Sequence, residues 1–202
     1  MGFLKRLFRR PHTGEEIADA VTHVIAKDAF IHVRDKELKS LISAYPMSAE
    51  EREMIGVELE LGGVVYAYLL LESLVEHVEV EKTKESFRTI KNLLTDAFVR
   101  YIKRGKEGGP LKREMLVQVI AARCEDCRKS FLRVKHQMEK EDLKRNFWTE
   151  FCAQDTLNHL VGKYAFQPSD ELLFSNLARW NMRLGNEIQK AIISRSKVSS
   201  LK

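Results

Sequence analysis

Cysteine is scarce in this chain of 202 residues: three are present, Cys124, Cys127 and Cys152. So few thiols, crowded into one region, cannot form the disulfide framework of a small secreted scaffold. A reducing compartment is the expectation, and with it a cytoplasmic location. Proline is nearly as rare, and its four copies, Pro11, Pro46, Pro110 and Pro168, fall between segments instead of inside them. That leaves long stretches free to be helical.

Long apolar runs are also missing. The longest stretch without a charge, LGGVVYAYLLL from Leu61 to Leu71, has eleven residues, well short of the roughly 20 that cross a bilayer. It reads as a buried helix. The N-terminus is basic but has neither a continuous apolar run nor a small-residue cleavage site before Pro11, so export is not expected. Hydrophobic content of 44% and charged content of 31% argue against disorder, and a chain of this length buries a core without metal or disulfides.

Signatures of catalysis are missing as well. The Gly105-Lys106 pair in GKEGGP sits among basic residues, but Arg100 and Glu107 stand where a phosphate loop needs glycine and Ser or Thr. The segment reads as a connector. Cys124 and Cys127 form a CxxC without a second half, on the seam Leu116, Ile120, Cys124, Cys127, Phe131, Val134 and Met138. Steps of four and three along that seam mark a core face, so the thiols are expected inside it.

None of His12, His23, His32, His77, His136 and His159 follows a glutamate at a spacing of three, which removes a di-iron carboxylate bundle. Glu51, Glu58, Glu72 and Glu79 fall on one heptad row and read as a solvated edge. Asp155 and His159 lie one turn apart, a spacing that could orient an imidazole but fits an exposed ion pair better. No catalytic residue, metal ligand or cofactor is assigned.

What is present in abundance is helical rhythm. Thr13 with Glu16, and Ser48 with Glu51, have capping-box spacing and mark two helix starts. The first helix carries Ile17, Val21, Val24 and Ile31 on one face, and a short one follows with Leu38, Leu41, Ile42 and Tyr45 before Pro46. From about Ala49 to about Val80 comes the most apolar helix. Its rows Met54, Leu61, Tyr68, Val75 and Val57, Val64, Leu71, Val78 cover most of its circumference, which places it at the centre. Gly62-Gly63 inside it costs roughly 1 kcal/mol per glycine relative to alanine, so close packing there is expected.

The VEVEKTK stretch from Val78 alternates like a strand, but no second strand exists to pair with it, so a helix end and turn is the reading. A further helix aligns Phe87, Ile90, Leu94, Ala97, Phe98 and Tyr101, and Lys103, Arg104 and Gly105 stop it. Another, from about Lys140 to Ala165, turns Phe147, Phe151, Leu157 and Val161 inward with Trp148 and Cys152 on the flank. The last follows Pro168, with Leu173, Leu177, Trp180, Leu184, Ile188 and Ile192 as its seam and Asn176, Arg179, Arg183 and Lys190 outside. The sum is an all-α fold, a compact bundle of about six or seven helices with a long apolar central helix. Residues 11–193 form its single domain and 194–202 a flexible tail.

Charge is segregated along the chain. Residues 11–81 carry five basic against fifteen acidic groups, and residues 82–113 carry ten against three. Side by side, such helices neutralise each other. Left apart, Lys84, Arg88, Lys91, Arg100, Lys103, Arg104, Lys106, Lys112 and Arg113 form a basic surface. Arg100, Lys103, Arg104, Lys106, Lys112 and Arg113 are the anion-binding candidates, for nucleic acid or a phosphate ligand.

Residues 1–10, MGFLKRLFRR, stand apart. On a helix Phe3, Leu4, Leu7 and Phe8 gather on one side, and Lys5, Arg6, Arg9 and Arg10 spread over the rest, the pattern of an interfacial helix. These eight are the membrane-contact candidates. Gly2 adds no lipid anchor, since Arg6 stands where N-myristoylation wants Ser or Thr. The functional expectation is a non-enzymatic interaction or adaptor protein with a protein partner, reaching an anionic membrane surface, the inner face, through this segment. Nucleic-acid or phosphate binding by residues 82–113 is the alternative, and an enzyme with a site assembled from distant residues is the second.

Overall fold

The computed structural model describes residues 12–105, 113–137, 147–165 and 167–195, without the side chains of Lys103, Arg104, Gly105, Arg113, His136, Gln137 and Phe147. Among the described residues there are seven helices and no strand. They are α1 (Gly14–His32), α2 (Lys36–Ser43), α3 (Ala49–His77), α4 (Glu81–Gly105), α5 (Arg113–Gln137), α6 (Phe147–Val161) and α7 (Ser169–Arg195).

Both capping boxes close as their spacing implies. The Thr13 hydroxyl accepts from Glu16 N–H at 3.2 Å while Thr13 N–H donates to the Glu16 carboxylate at 2.9 Å. Ser48 and Glu51 do the same at 3.2 and 2.7 Å. Asp35 opens α2 by accepting from the N–H groups of Glu37 and Leu38, which holds its carboxyl below the usual range. Val78 leaves helical geometry with ψ of 132° and α4 opens at Glu81, so of the VEVEKTK stretch Val78, Glu79 and Val80 make the turn while Glu81–Lys84, expected in the turn, are the first residues of the next helix.

Five helices enclose α3. The chain α1, α4, α5, α6, α7 runs around it, each touching its neighbours and α7 returning to α1, while α2 leans on α7. Leu59, Val64, Ala67 and Leu71 of α3 are all fully buried. By length and composition α3 is apolar enough to cross a membrane, and 61% of its most apolar window lies inside the bundle.

The double glycine lets the neighbours in close. A Cβ on Gly62 would collide with Thr156 Oγ1 of α6, and one on Gly63 would come within 2.6 Å of Ile25 Cγ2 of α1 and 3.3 Å of Leu184 Cδ2 of α7. Side chains, instead of a neighbouring backbone, occupy the space the glycines leave. On α7, Gly185 gives the same room to the Tyr66 hydroxyl.

Several faces differ from expectation. On α1, Ile31 is exposed and Val24 half-buried, and the interior face runs through Ala18, Val21, Thr22, Ile25, Ala29 and His32. On α3, Met54 is exposed, and on α4 so is Tyr101. Cys152 belongs to the core of α6, not its flank, and Phe151 is half-buried. Asn176 is buried on α7 alongside Asn181. In each case the helix meets neighbours on two sides, so its interior face is wider than a single apolar seam and shifted toward small or polar side chains.

Candidate functional site

Helices α5 and α6 carry the three cysteines and the Asp155–His159 pair, which places every thiol of the chain at or beside their seam. All three thiols are free and buried. Burial pushes the Cys124 thiol up to about 12 and raises that of Cys152 well above the ordinary thiol range. A thiol so raised is protonated at neutral pH and a poor nucleophile.

Beside them α3, α5 and α6 leave a groove of about 610 Å³, whose lining includes Glu58, Leu61, Val119, Arg123, Cys127, Asp155 and His159. Arg123 ties the three helices together. Its Nη1 donates to Glu58 Oε2 at 2.9 Å, and its Nη2 lies 3.6 Å from Asp155 Oδ2. His159 Nε2 stands 3.9 Å from Asp155 Oδ1, on a side chain that is 46% exposed. That separation is too long for a hydrogen bond, so the carboxylate does not orient the ring. The arrangement is an ion-pair bridge at the wall of a groove.

A second groove of about 440 Å³ opens nearer the C-terminal ends of α3 and α5, lined by Leu69, Leu70, Phe131, Leu132 and Trp148 with Glu72 and Glu76. Both glutamates face cations: Glu72 pairs with Lys91 and with Arg128, and Glu76 with Lys135 at 3.1 Å. The remaining members of the glutamate row are Glu51, which binds Lys163 and accepts from the Tyr164 hydroxyl at 2.8 Å, and exposed Glu79. Among the described residues no three His, Cys, Asp or Glu side chains gather as a metal site.

Of the anion-binding candidates, Arg100 has its guanidinium turned to Asp96, to Asp19 at 2.8 Å and to Glu15 at 3.2 Å. Lys84, Arg88 and Lys91 of the same basic run also meet carboxylates. Lys84 and Arg88 pair within α4 itself, with Glu81 and Glu85, while α1 offsets the charge of Arg100 and α3 that of Lys91. Lys106 and Lys112 lie outside the described residues, as do the side chains of Lys103, Arg104 and Arg113. The membrane-contact candidates Phe3, Leu4, Lys5, Arg6, Leu7, Phe8, Arg9 and Arg10 lie outside them as well.

Two polar features escaped the apolar rhythm. Arg123 flanks a core position, and nothing at i±3 or i±4 names Glu58 or Asp155 as its partner. His32 stacks on Trp180 with ring centroids 5.2 Å apart and planes 2° from parallel. Burial, with Arg183 nearby, lowers its pKa from 6.5 to about 4. Compared with family models, curated proteins and solved structures, the chain matches none.

Proposed function

We propose that this chain is a non-enzymatic helical interaction or adaptor protein that is recruited reversibly to an anionic membrane surface by residues 1–10. The observation that supports this reading is the closed end at Thr13. With both capping hydrogen bonds made, α1 starts at Gly14, after the amphipathic basic stretch of the sequence.

Near an anionic bilayer each of its four cations contributes about 1 kcal/mol, and Phe3, Leu4, Leu7 and Phe8 add several more, against the cost of ordering the segment. Ten residues are too few to hold a helix in water, so folding accompanies binding. Flotation tests this, using full-length protein with anionic and neutral liposomes beside the variant carrying Phe3→Ser, Leu4→Ser, Leu7→Ser and Phe8→Ser. The expected result is flotation with anionic vesicles only, weakened by salt and absent in the variant. Equal behaviour of the two proteins overturns the proposal.

A further inference from the structure

Two contacts fix the register of α5 against α6. Arg123 Nη2 lies 3.6 Å from Asp155 Oδ2, and the Phe131 ring meets the Phe151 ring edge-on with centroids 5.4 Å apart. The two helices are therefore antiparallel, and Cys127, midway between Arg123 and Phe131, falls opposite residues 151–155. Cys152 is the buried thiol of that stretch, and its side chain is hydrogen-bonded to that of Cys127. Cys124 is not placed to pair with Cys127. Side chains three apart on a helix hold their Cβ atoms about 5–6 Å apart, beyond the roughly 3.5–4.5 Å that a disulfide spans. Of the three thiols, Cys127 is the one on the lining of the 610 Å³ groove, so a small solute in that groove reaches its sulfur first.

We infer that Cys127 and Cys152 are a redox pair: hydrogen peroxide entering the groove oxidises Cys127, and Cys152 resolves the product to a disulfide joining α5 and α6. In the first step the Cys127 sulfur attacks one peroxide oxygen. An S–O bond forms, the O–O bond breaks, and the leaving hydroxide takes the thiol proton to become water, which leaves a sulfenic acid on Cys127. The Cys152 sulfur then attacks the sulfenic sulfur. An S–S bond forms, the S–O bond breaks, and the released hydroxide departs as water with the Cys152 proton. One peroxide is thus reduced by two electrons, and two thiols are oxidised to one disulfide. Burial keeps Cys152 protonated and slow toward a dilute reagent, but a sulfenic acid already in contact with it is an intramolecular partner, which offsets that handicap. The bond ties α5, whose buried residues are Ile120, Cys124 and Cys127, to α6 and fixes the wall of the groove between them. It involves no part of residues 1–10, so it stands or falls apart from membrane recruitment.

The test treats the folded full-length chain with hydrogen peroxide, unfolds it in urea with N-ethylmaleimide to cap every remaining thiol, and maps the links by mass spectrometry of a non-reducing digest. The expected product is a Cys127–Cys152 link within one chain, with the mass loss of two hydrogens, while Cys124 carries the cap. Dithiothreitol reverses the link. In Cys152→Ala the sulfenic acid has no resolving partner, so dimedone added with the peroxide labels Cys127; in Cys127→Ala that labelling is lost. If neither variant folds, the map of the unsubstituted chain decides alone, compared with the same chain oxidised in urea, where the pairing preference is expected to disappear. A Cys124–Cys127 link as the main product, links between chains only, or the same pairings in folded and unfolded protein overturns the inference. So does a folded chain that keeps all three thiols reduced under peroxide that oxidises the unfolded one.

Discussion

Glycines 62 and 63 stand where α1, α6 and α7 press on the central helix, and a single added methyl meets Thr156 or Ile25. Gly62→Ala and Gly63→Ala are each expected to destabilise by about 1–3 kcal/mol, the usual cost of overpacking, measured by urea unfolding. Gly56 on the same helix has nothing within 4 Å of its would-be Cβ. There Ala is expected to stabilise by about 0.5–1 kcal/mol, because helix propensity is then the only change. His32 supplies a pH dependence of definite sign. Its folded-state pKa, about 4, lies below the ordinary 6.5, so the unfolded chain binds the extra proton first. Its contribution is complete above about pH 6.5 and is lost as pH falls toward 4, a change on the order of 3 kcal/mol. Asp28 and Asp35 oppose the shift, and burial and Arg183 drive it. His32→Leu should flatten that part of the stability profile in denaturant melts at stepped pH.

Among the helices longer than α2, α5 has the fewest buried side chains in the described residues. Its fully buried residues are Ile120, Cys124 and Cys127, and two grooves lie along its seam with α3 and α6. Helix α3 is enclosed on all sides. Amide hydrogen exchange is therefore expected to be faster across α5 than at Val64–Leu71, by the difference between local and global opening. The thiols report the same motion. Native protein at neutral pH should react slowly with a thiol reagent at Cys124 and Cys152, whose burial keeps them protonated, and at the full rate once unfolded by urea. Fast labelling of the native chain would show that the α5–α6 seam is open.

At the scale of the whole molecule, charge that is segregated along the chain is mixed in space. Arg100 gathers Glu15, Asp19 and Asp96, and the hydrogen bond to Asp19 together with the negative charge of the three carboxylates raises its pKa. Arg100→Gln leaves three carboxylates facing one another across α1 and α4. The expected cost is about 1–2 kcal/mol, since the site is partly solvated, with partial recovery in high salt. The same substitution is expected to leave any binding to a nucleic-acid duplex unaffected, because this arginine is already engaged. A salt-sensitive loss of duplex binding in a gel-shift assay would place it back on an anion-binding face.

Residue pattern alone located the helix starts at Thr13 and Ser48, the central place of α3 and the burial of Cys124 and Cys127. These are local facts: a cap needs partners three residues away, and apolar residues at three-to-four spacing make one face wherever the helix packs. The bridge from Arg123 to Glu58 and Asp155, the stack of His32 on Trp180, the exposure of Ile31 and the interior places of Cys152 and Asn176 come from how the helices pack. Each depends on which helix lies beside which, and pairings 65 residues apart, such as Glu58 with Arg123, leave no mark on the residues around them. The groove belongs to the same class, being the space that three helices leave between them.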